Sequence, residues 1–223
     1  MTQPMTRILR IDSSSRPAAS GAGAEGSYSR ELADRLVEHL RAAHPEAEVA
    51  VRDLVTNPVP HILNETIAGY YTPPEAMTDA LRGATALSDE LIAEVKEADA
   101  IVLSAPIYNF SIPSALKAWI DQVVRIGHSF AFEDGQFRGL VADKPVFVAL
   151  SYGAGGYGEG GPLHAYDHMR PYLQMVLNFI GLRSVETFTI EATTADAATI
   201  ADARSRAMSA IDARFASSSA RAA

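Results

Sequence analysis

The residues best suited to binding chemistry lie in one short segment, 106–113, with the sequence PIYNFSIP. Two aromatic rings, Tyr108 and Phe110, flank Asn109, and a proline stands at each end of the segment. Because proline has no N–H and a fixed φ, the segment leaves regular structure, and its free backbone amides can face a ligand. Aromatic faces beside amide donors suit a flat, partly polar ring. The alternative is an ordinary strand-to-helix connection whose aromatic residues cap the core.

The elements on either side place this segment where ligands are usually bound. Residues 100–105 are an apolar run, typical of a strand that is buried on both faces of a parallel sheet. Pro113 suits the start of a helix, whose apolar face comprises Leu116, Ile120, Val123 and Val124. Open α/β sheets bind ligands outside the carboxyl ends of their strands. The segment is therefore predicted to lie at a binding edge.

The rest of the chain alternates strands and helices. Strands are predicted at 7–12, 48–54, 100–105, 145–150 and 185–190, with a small hairpin at 130–137. Helices are predicted at 29–43, around 87–95, from 113, at 172–180 and at 195–215, while 55–74 is a long connection. This pattern predicts one α/β domain over residues 1–223, with frayed ends at 1–6 and 217–223. The expected architecture has three layers: helices on both faces of a five-stranded, doubly wound parallel sheet in the flavodoxin-like order 2-1-3-4-5.

Two further loops are predicted to open at the same edge of the sheet. The loop after the first strand carries Ser14, then Ser27 and Ser29 at the start of a helix, and these hydroxyls and amides suit a phosphate. No GxxxxGK[ST] motif is present and the loop has no lysine for a triphosphate, which favours a monophosphate held by neutral donors. The alternative is a flexible linker followed by a serine N-cap. The loop 151–162 has six glycines, which allow close approach to a ligand, although a ligand-free surface loop is the alternative.

The stretch 106–121, PIYNFSIPSALKAWID, resembles the flavin-binding loop of the FMN-dependent NADH-azoreductase and quinone-reductase family. The family pattern is P-[MI]-Y-N-F-x-I-P-x-x-L-K-x-[YW]-[FIL]-D. Segments 51–54, 87–92, 138–141, 171–173 and 179–181 also look like family segments in family order. The resemblance therefore extends from residue 8 to about 213.

The resemblance implies which residues hold the cofactor. By position, the FMN phosphate would be bound by Ser14, Ser27, Tyr28 and Ser29, and the flavin by Ile107, Tyr108, Asn109, Phe110, Ser151, Tyr152, Gly153 and Ala154. Tyr152 replaces the family's usual arginine, and Ala154 replaces its second glycine. The substrate face would be lined by Phe132, where relatives often have tyrosine, and by Phe179. The flavin carries the chemistry, so no catalytic side chain is assigned.

The implied activity is transfer of electrons from NADH or NADPH, through one FMN per subunit, to a quinone or an azo compound. The resemblance also implies a homodimer. The main alternative is a flavodoxin-like electron-transfer protein with no small-molecule acceptor of its own. A flavin-free binding or signalling domain on the same fold is a third possibility.

Composition excludes several other classes. The net charge of −8 argues against a nucleic-acid partner, which would need clustered lysine and arginine. The absence of cysteine excludes disulfides and thiol chemistry, so redox chemistry would need a bound cofactor. We expect no metal, because His164 and His168, although four residues apart, have only Asp167 as a nearby carboxylate. No apolar stretch of membrane-spanning length and no signal peptide is evident, which predicts a cytoplasmic protein without a membrane partner.

Overall fold

The fold is taken from a computed structural model that describes the backbone of residues 5–17 and 26–222 and side chains as far as residue 217. In this part of the chain the strands are β1 (Arg7–Asp12), β2 (Glu48–Asp53), β3 (Ala100–Pro106), β4 (Phe130–Glu133), β5 (Gln136–Gly139), β6 (Val146–Ser151) and β7 (Val185–Ile190). The helices are α1 (Tyr28–Ala43), α2 (Asn64–Tyr71), α3 (Asp79–Glu97), α4 (Ser114–Val123), α5 (Arg170–Ile180) and α6 (Ala197–Ala222).

Five of the strands form one parallel sheet in the order β2-β1-β3-β6-β7. Since β4 and β5 pair only with each other as the hairpin, this order is the predicted 2-1-3-4-5. Every residue of β3 and β6 is buried, which explains their unbroken apolar sequences. The edge strand β2 has only half-buried and exposed positions instead. The flavodoxin-like fold prediction is confirmed.

Two apolar layers join the helices to the sheet. On one face α1 and α6 pack on the strands through a core that includes Leu32, Leu36, Ala207, Ile211 and Phe147. On the other face α3, α4 and α5 pack through a larger core that includes Leu91, Trp119, Leu173, Ile101 and Val148. Within the described residues, no helix has the length and apolarity needed to span a membrane.

Hydrogen bonds continue past the strand ends and hold the loops side by side. The amide of Ser13 donates to the Ser104 carbonyl at 3.1 Å, and that of Ile107 donates to the Ser151 carbonyl at 2.8 Å. The amide of Tyr152 donates to the Ile190 carbonyl at 2.9 Å. The loops after β1, β3, β6 and β7 therefore leave one edge of the sheet in fixed relative positions.

Three sequence expectations differ from the structure. The connection 55–74 is not structureless, because it contains α2, which packs on α3, and a 3₁₀ turn (Pro74–Ala76) follows it. The last helix extends to Ala222, beyond its expected end at residue 215. At the other end, residues 1–4 lie outside the described part, but the Thr6 amide donates to Asp99 at 2.6 Å.

Two glycine substitutions should change stability in opposite directions. Gly181, which ends α5, has φ +115°, and a Cβ there would lie 2.3 Å from the Val141 carbonyl oxygen. Gly181→Ala should therefore lower the free energy of unfolding by more than the left-handed penalty alone, which is about 1–2 kcal/mol. A Cβ at Gly83, on the exposed side of α3, would lie in open space. Gly83→Ala should therefore raise the free energy of unfolding by about 0.5–1 kcal/mol. Urea denaturation of both variants tests this, and equal effects would contradict it.

Candidate functional site

A cleft of about 200 Å³ opens at the carboxyl edge of the sheet, where the loops after β1, β3, β6 and β7 meet. Most of the predicted cofactor residues are brought together there. The residues that line the cleft are Ser14, Arg16, Gly26, Ser27, Tyr28, Pro106, Ile107, Tyr108, Ser151, Gly153, Thr193 and Thr194. Thr193 and Thr194 were not predicted from the sequence.

One end of the cleft is a cradle of hydroxyl groups at the start of α1. Ser27 is the N-cap of α1, and its Oγ accepts a hydrogen bond from the Arg30 amide at 3.3 Å. Its Oγ also lies 3.1 Å from the Oγ of Ser29, which is fully buried and does not line the cleft. Across the cleft, the Oγ of Ser14 accepts from the Arg16 amide at 3.2 Å. Ser27 therefore caps α1 and lines the cleft at the same time. The positive end of the helix dipole favours an anion at this position.

A charged cluster supports this cradle from below. Asp12, at the end of β1, is 2% exposed and accepts hydrogen bonds from Ser104 Oγ at 2.6 Å and from Arg10 Nε at 2.8 Å. Arg30 donates to Asp12 at 3.3 Å and to both oxygens of Asp53 at 2.8 and 3.0 Å. The Arg30 guanidinium lowers the pKa of Asp53 to about 2. The carboxylate of Asp53 is thus ionised at neutral pH and paired with Arg30.

The aromatic turn after β3 has an unusual backbone. Asn109 and Phe110 have φ values of +46° and +70°, in the left-handed region that non-glycine residues rarely adopt. Two hydrogen bonds between the backbones of Tyr108 and Ser111, at 2.9 and 3.1 Å, close the turn. Within the described chain, the amides of Asn109 and Phe110 donate to no protein acceptor. Such strain is typical of ligand clamps, and here it presents two adjacent donors.

Neighbouring segments hold this turn in place. The hydroxyl of Tyr108 lies 2.6 Å from Ser15 Oγ, which fixes its ring at the cleft. The carbonyl of Phe110 accepts from the His168 amide at 3.0 Å, and its ring lies 5.6 Å from that of Tyr166. From the sequence, His168 was considered only as a metal ligand together with His164. Its backbone hydrogen bond, which supports the turn, was not predicted.

The two histidines do not share a helix. His164 begins a 3₁₀ turn (His164–Tyr166), and its ring Nδ1 lies 3.3 Å from the Tyr157 carbonyl oxygen. Among the residues that the structure describes, no three histidine, aspartate or glutamate side chains are grouped so that they could hold a metal ion.

The structure corrects the assignment of Tyr152. Its side chain is completely buried, its hydroxyl donates to Asp167 at 2.9 Å, and burial raises its pKa. Its backbone amide and carbonyl are bonded to Ile190 and Thr193. Tyr152 is therefore a core residue, whose large ring packs 4.8 Å from that of Tyr157 and cannot take the place of a cleft arginine.

The loop after β7 fixes the glycine-rich loop. Thr193 and Thr194 donate their hydroxyls to the carbonyls of Tyr152 and Gly153, at 3.1 and 2.9 Å. The carboxylate of Glu191 accepts from the amides of residues 156 and 157 at 2.7 and 3.1 Å. In the sequence, the polar residues directly after β7 were the signal that could have revealed Thr193 and Thr194. Ala154 is exposed outside the cleft lining, so its contact with a flavin remains a prediction.

Phe132 and Phe179 do not line the cleft of their own chain. Phe132 lies on β4, is 53% exposed and contacts Phe137 at 4.9 Å between ring centroids. Phe179, on α5, packs against Phe130 and Phe137 at 4.8 and 5.4 Å. The hairpin packs on α5, so this aromatic cluster (Phe130, Phe132, Phe137 and Phe179) forms a separate surface. The placement of both rings on the substrate face therefore stays a prediction.

Comparison with known proteins gives the family. The model of the flavodoxin-like fold matches residues 6–215. The chain is 53% identical over 182 residues to an FMN-dependent NADH:quinone oxidoreductase of Xanthobacter autotrophicus, covering 82% of this chain and 84% of the relative. It belongs to the FMN-dependent NADH:quinone oxidoreductase family. A member from Nostoc punctiforme is 43% identical over 82% of this chain and 85% of its own.

A solved structure supports the fold of this family member. The azoreductase from Bacillus anthracis superimposes with a TM-score of 0.83 at 23% identity, covering 95% of this chain and 99% of the other. The family resemblance predicted from the sequence is confirmed.

The cleft of this oxidoreductase family member fits FMN. Ser14, Ser27 and the start of α1 offer neutral donors to a phosphate, and the free amides of the aromatic turn suit the polar edge of a flavin. The cavity of about 200 Å³ is smaller than the roughly 300–1,000 Å³ of most ligand pockets. A bound flavin would need surface beyond this cavity, and the rings of Tyr108 and Phe110, 38% and 49% exposed, would offer it.

Proposed function

We propose that this protein is an FMN-dependent oxidoreductase that passes electrons from NADH or NADPH to quinones and reductively cleaves aromatic azo compounds. The observation that carries the proposal is the meeting of a hydroxyl-lined cradle and a strained aromatic turn at one edge of the sheet. Relatives at 53% and 43% identity are named FMN-dependent NADH:quinone oxidoreductases, which supports the same chemistry here. The nicotinamide donor is a cytoplasmic metabolite, so the proposal includes a cytoplasmic location.

The residues of the cleft bind and orient the cofactor. Ser14 and Ser27 would hold the phosphate, and the free amides of Asn109, Phe110 and Gly153 would donate to the polar groups of the ring. The rings of Tyr108 and Phe110 would pack against it. When bound, FMN supplies the redox chemistry, accepting two electrons from the reduced nicotinamide and giving them to the acceptor. No side chain is needed as an acid or base in this scheme.

The open side of the aromatic turn leaves one exposed binding face, so the nicotinamide donor and the electron acceptor should bind there one after the other. Steady-state kinetics with NADH varied at several benzoquinone concentrations should give parallel double-reciprocal lines, the pattern of a ping-pong mechanism. Intersecting lines, which indicate a ternary complex, would contradict a shared face. A flavodoxin-like electron carrier, the competing function, would show negligible turnover with benzoquinone but would reduce a one-electron protein acceptor.

We also propose that the protein is a homodimer in which the partner completes the flavin site. Two surfaces support this: the half-exposed aromatic turn, and the aromatic cluster with its exposed rings of Phe132 and Phe137. Exposed aromatic patches of this kind are typical of interaction sites. Sedimentation velocity should give twice the chain mass of 23.9 kDa. A fully active monomer would contradict the proposal.

Phe132→Ala should raise the KM for bulky quinones while the FMN content stays unchanged, because the ring would contact substrate and not the cofactor. Met175, a similarly exposed apolar residue on α5, provides the control, and Met175→Ala should leave KM unchanged. If the Phe132 variant instead loses FMN, the ring contacts the cofactor and the prediction is contradicted.

A further inference from the structure

Arg30 connects the parts of the phosphate cradle, although it does not line the cleft. It follows Ser29 in the first turn of α1, and its guanidinium is 7% exposed. Its Nη2 donates to the carbonyl of Ser14 at 2.8 Å, while its remaining bonds reach Asp12 and Asp53. One side chain therefore ties the start of α1 to the loop after β1 and to the ends of β1 and β2.

The charge of Arg30 is already neutralised. Asp12 and Asp53 contact it directly, and the neighbouring Arg10 bonds to Asp12 and Asp34. These two arginines and three aspartates carry no excess positive charge that could attract a phosphate. The role of Arg30 must therefore be geometric, since the side chain sets the position of Ser14 relative to Ser27.

The cluster also contains an unsatisfied group. The Nε of Arg30 is buried without a hydrogen-bond partner among the described groups, which is unfavourable for folding. A lysine at this position would avoid that cost, but arginine has a different geometry. Its planar, multiple-donor group can bind Asp53 through two bonds and the Ser14 carbonyl at the same time, which lysine cannot do.

We propose that Arg30 is a positioning residue for the phosphate of FMN: by holding the Ser14 carbonyl, it fixes the two sides of the cradle at phosphate-binding distance. The inference rests on the proposed FMN function and deepens it. It assigns to Arg30 the preference for FMN over riboflavin, which lacks the phosphate, and not the binding of the flavin ring.

The test compares the dissociation constants of FMN and riboflavin, measured by quenching of flavin fluorescence, in wild type, Arg30→Ala and Arg30→Lys. Arg30→Ala should weaken FMN binding about 10- to 100-fold, the range for lost hydrogen bonds to a charged group, and change riboflavin binding less than about threefold. Arg30→Lys should restore part of the preference, since lysine keeps the charge but can make fewer of the bonds.

Arg35→Ala is the matched control. Arg35 lies on the same helix and also bonds to carboxylates, Glu38 and Asp212, but on the outer surface. The control should keep the wild-type preference for FMN.

The outcomes are separable. Unchanged FMN affinity in a folded Arg30→Ala protein, or equal weakening of FMN and riboflavin, overturns the positioning role. If Arg30→Ala does not fold, Arg30→Lys decides: wild-type FMN preference in that variant overturns the proposal, and a preference reduced at unchanged riboflavin affinity supports it. If the wild-type protein itself binds FMN no better than riboflavin, the proposed phosphate cradle fails instead.

Discussion

Replacing Asp12 by alanine should lower the free energy of unfolding by about 3–5 kcal/mol, the usual cost of removing one partner from a buried ion pair. The buried carboxylate of Asp12 accepts hydrogen bonds from Arg10, Arg30 and Ser104. Without it, the Ser104 hydroxyl loses its acceptor, and two arginines lose a counter-charge. Urea denaturation monitored by circular dichroism gives the free energy.

Asp212 provides the control for this experiment. It also bonds to two cationic or polar partners, Arg35 and His39, at 2.7 Å each, but its side chain is 43% exposed. Because water screens such pairs, Asp212→Ala should cost no more than about 1 kcal/mol. If the two variants lose equal stability, the cluster beneath the cradle is not the buried support described above.

Replacing Ser27 by alanine should weaken FMN binding by about 1.5–3 kcal/mol, the value of a hydrogen bond to a charged group, and leave riboflavin binding almost unchanged. Ser29→Ala should have a smaller effect, because its buried hydroxyl bonds to Ser27 and does not reach the cleft. Titration of each variant with both flavins, followed by fluorescence, measures these differences.

Ser27 also caps α1, so the loss of a cap must be separated from the loss of a phosphate contact. Thr78 is the N-cap of α3, where its hydroxyl accepts from the Leu81 amide at 3.3 Å. Thr78→Ala should lose about 1 kcal/mol of stability, as for other N-caps, without any change in FMN affinity. An equal loss of FMN in both variants would mean that Ser27 acts only through the helix.

Much of the fold could be predicted because the signals were local. The almost entirely apolar runs of β3 and β6 reflect burial on both faces, and the polar residues of β2 reflect its place at the edge. α2 was missed because its eight residues, NETIAGYY, contain a glycine and have no clear apolar stripe. Its stability comes from packing on α3, where Gly69 lies against Thr85.

The site could be predicted where its residues lie in the loops that follow the parallel strands. Ser14, Ser27, Tyr108 and Gly153 reached the cleft because parallel strands end at one edge. Tyr152 was misassigned because its position in the motif does not reveal the buried Asp167 that draws the ring into the core. The contributions of Thr193, Thr194 and Arg30 depend on contacts between segments distant in sequence, which periodicity does not report.

The most direct test of the central claim is an absorbance spectrum of the protein reconstituted with FMN, recorded under nitrogen. One equivalent of NADH or NADPH should bleach the flavin absorbance of one FMN per chain, and one equivalent of benzoquinone should then restore it. This result requires both half-reactions at the cleft formed by the cradle and the aromatic turn. Failure to bind FMN, or bound FMN that neither nicotinamide reduces, would contradict the proposed function.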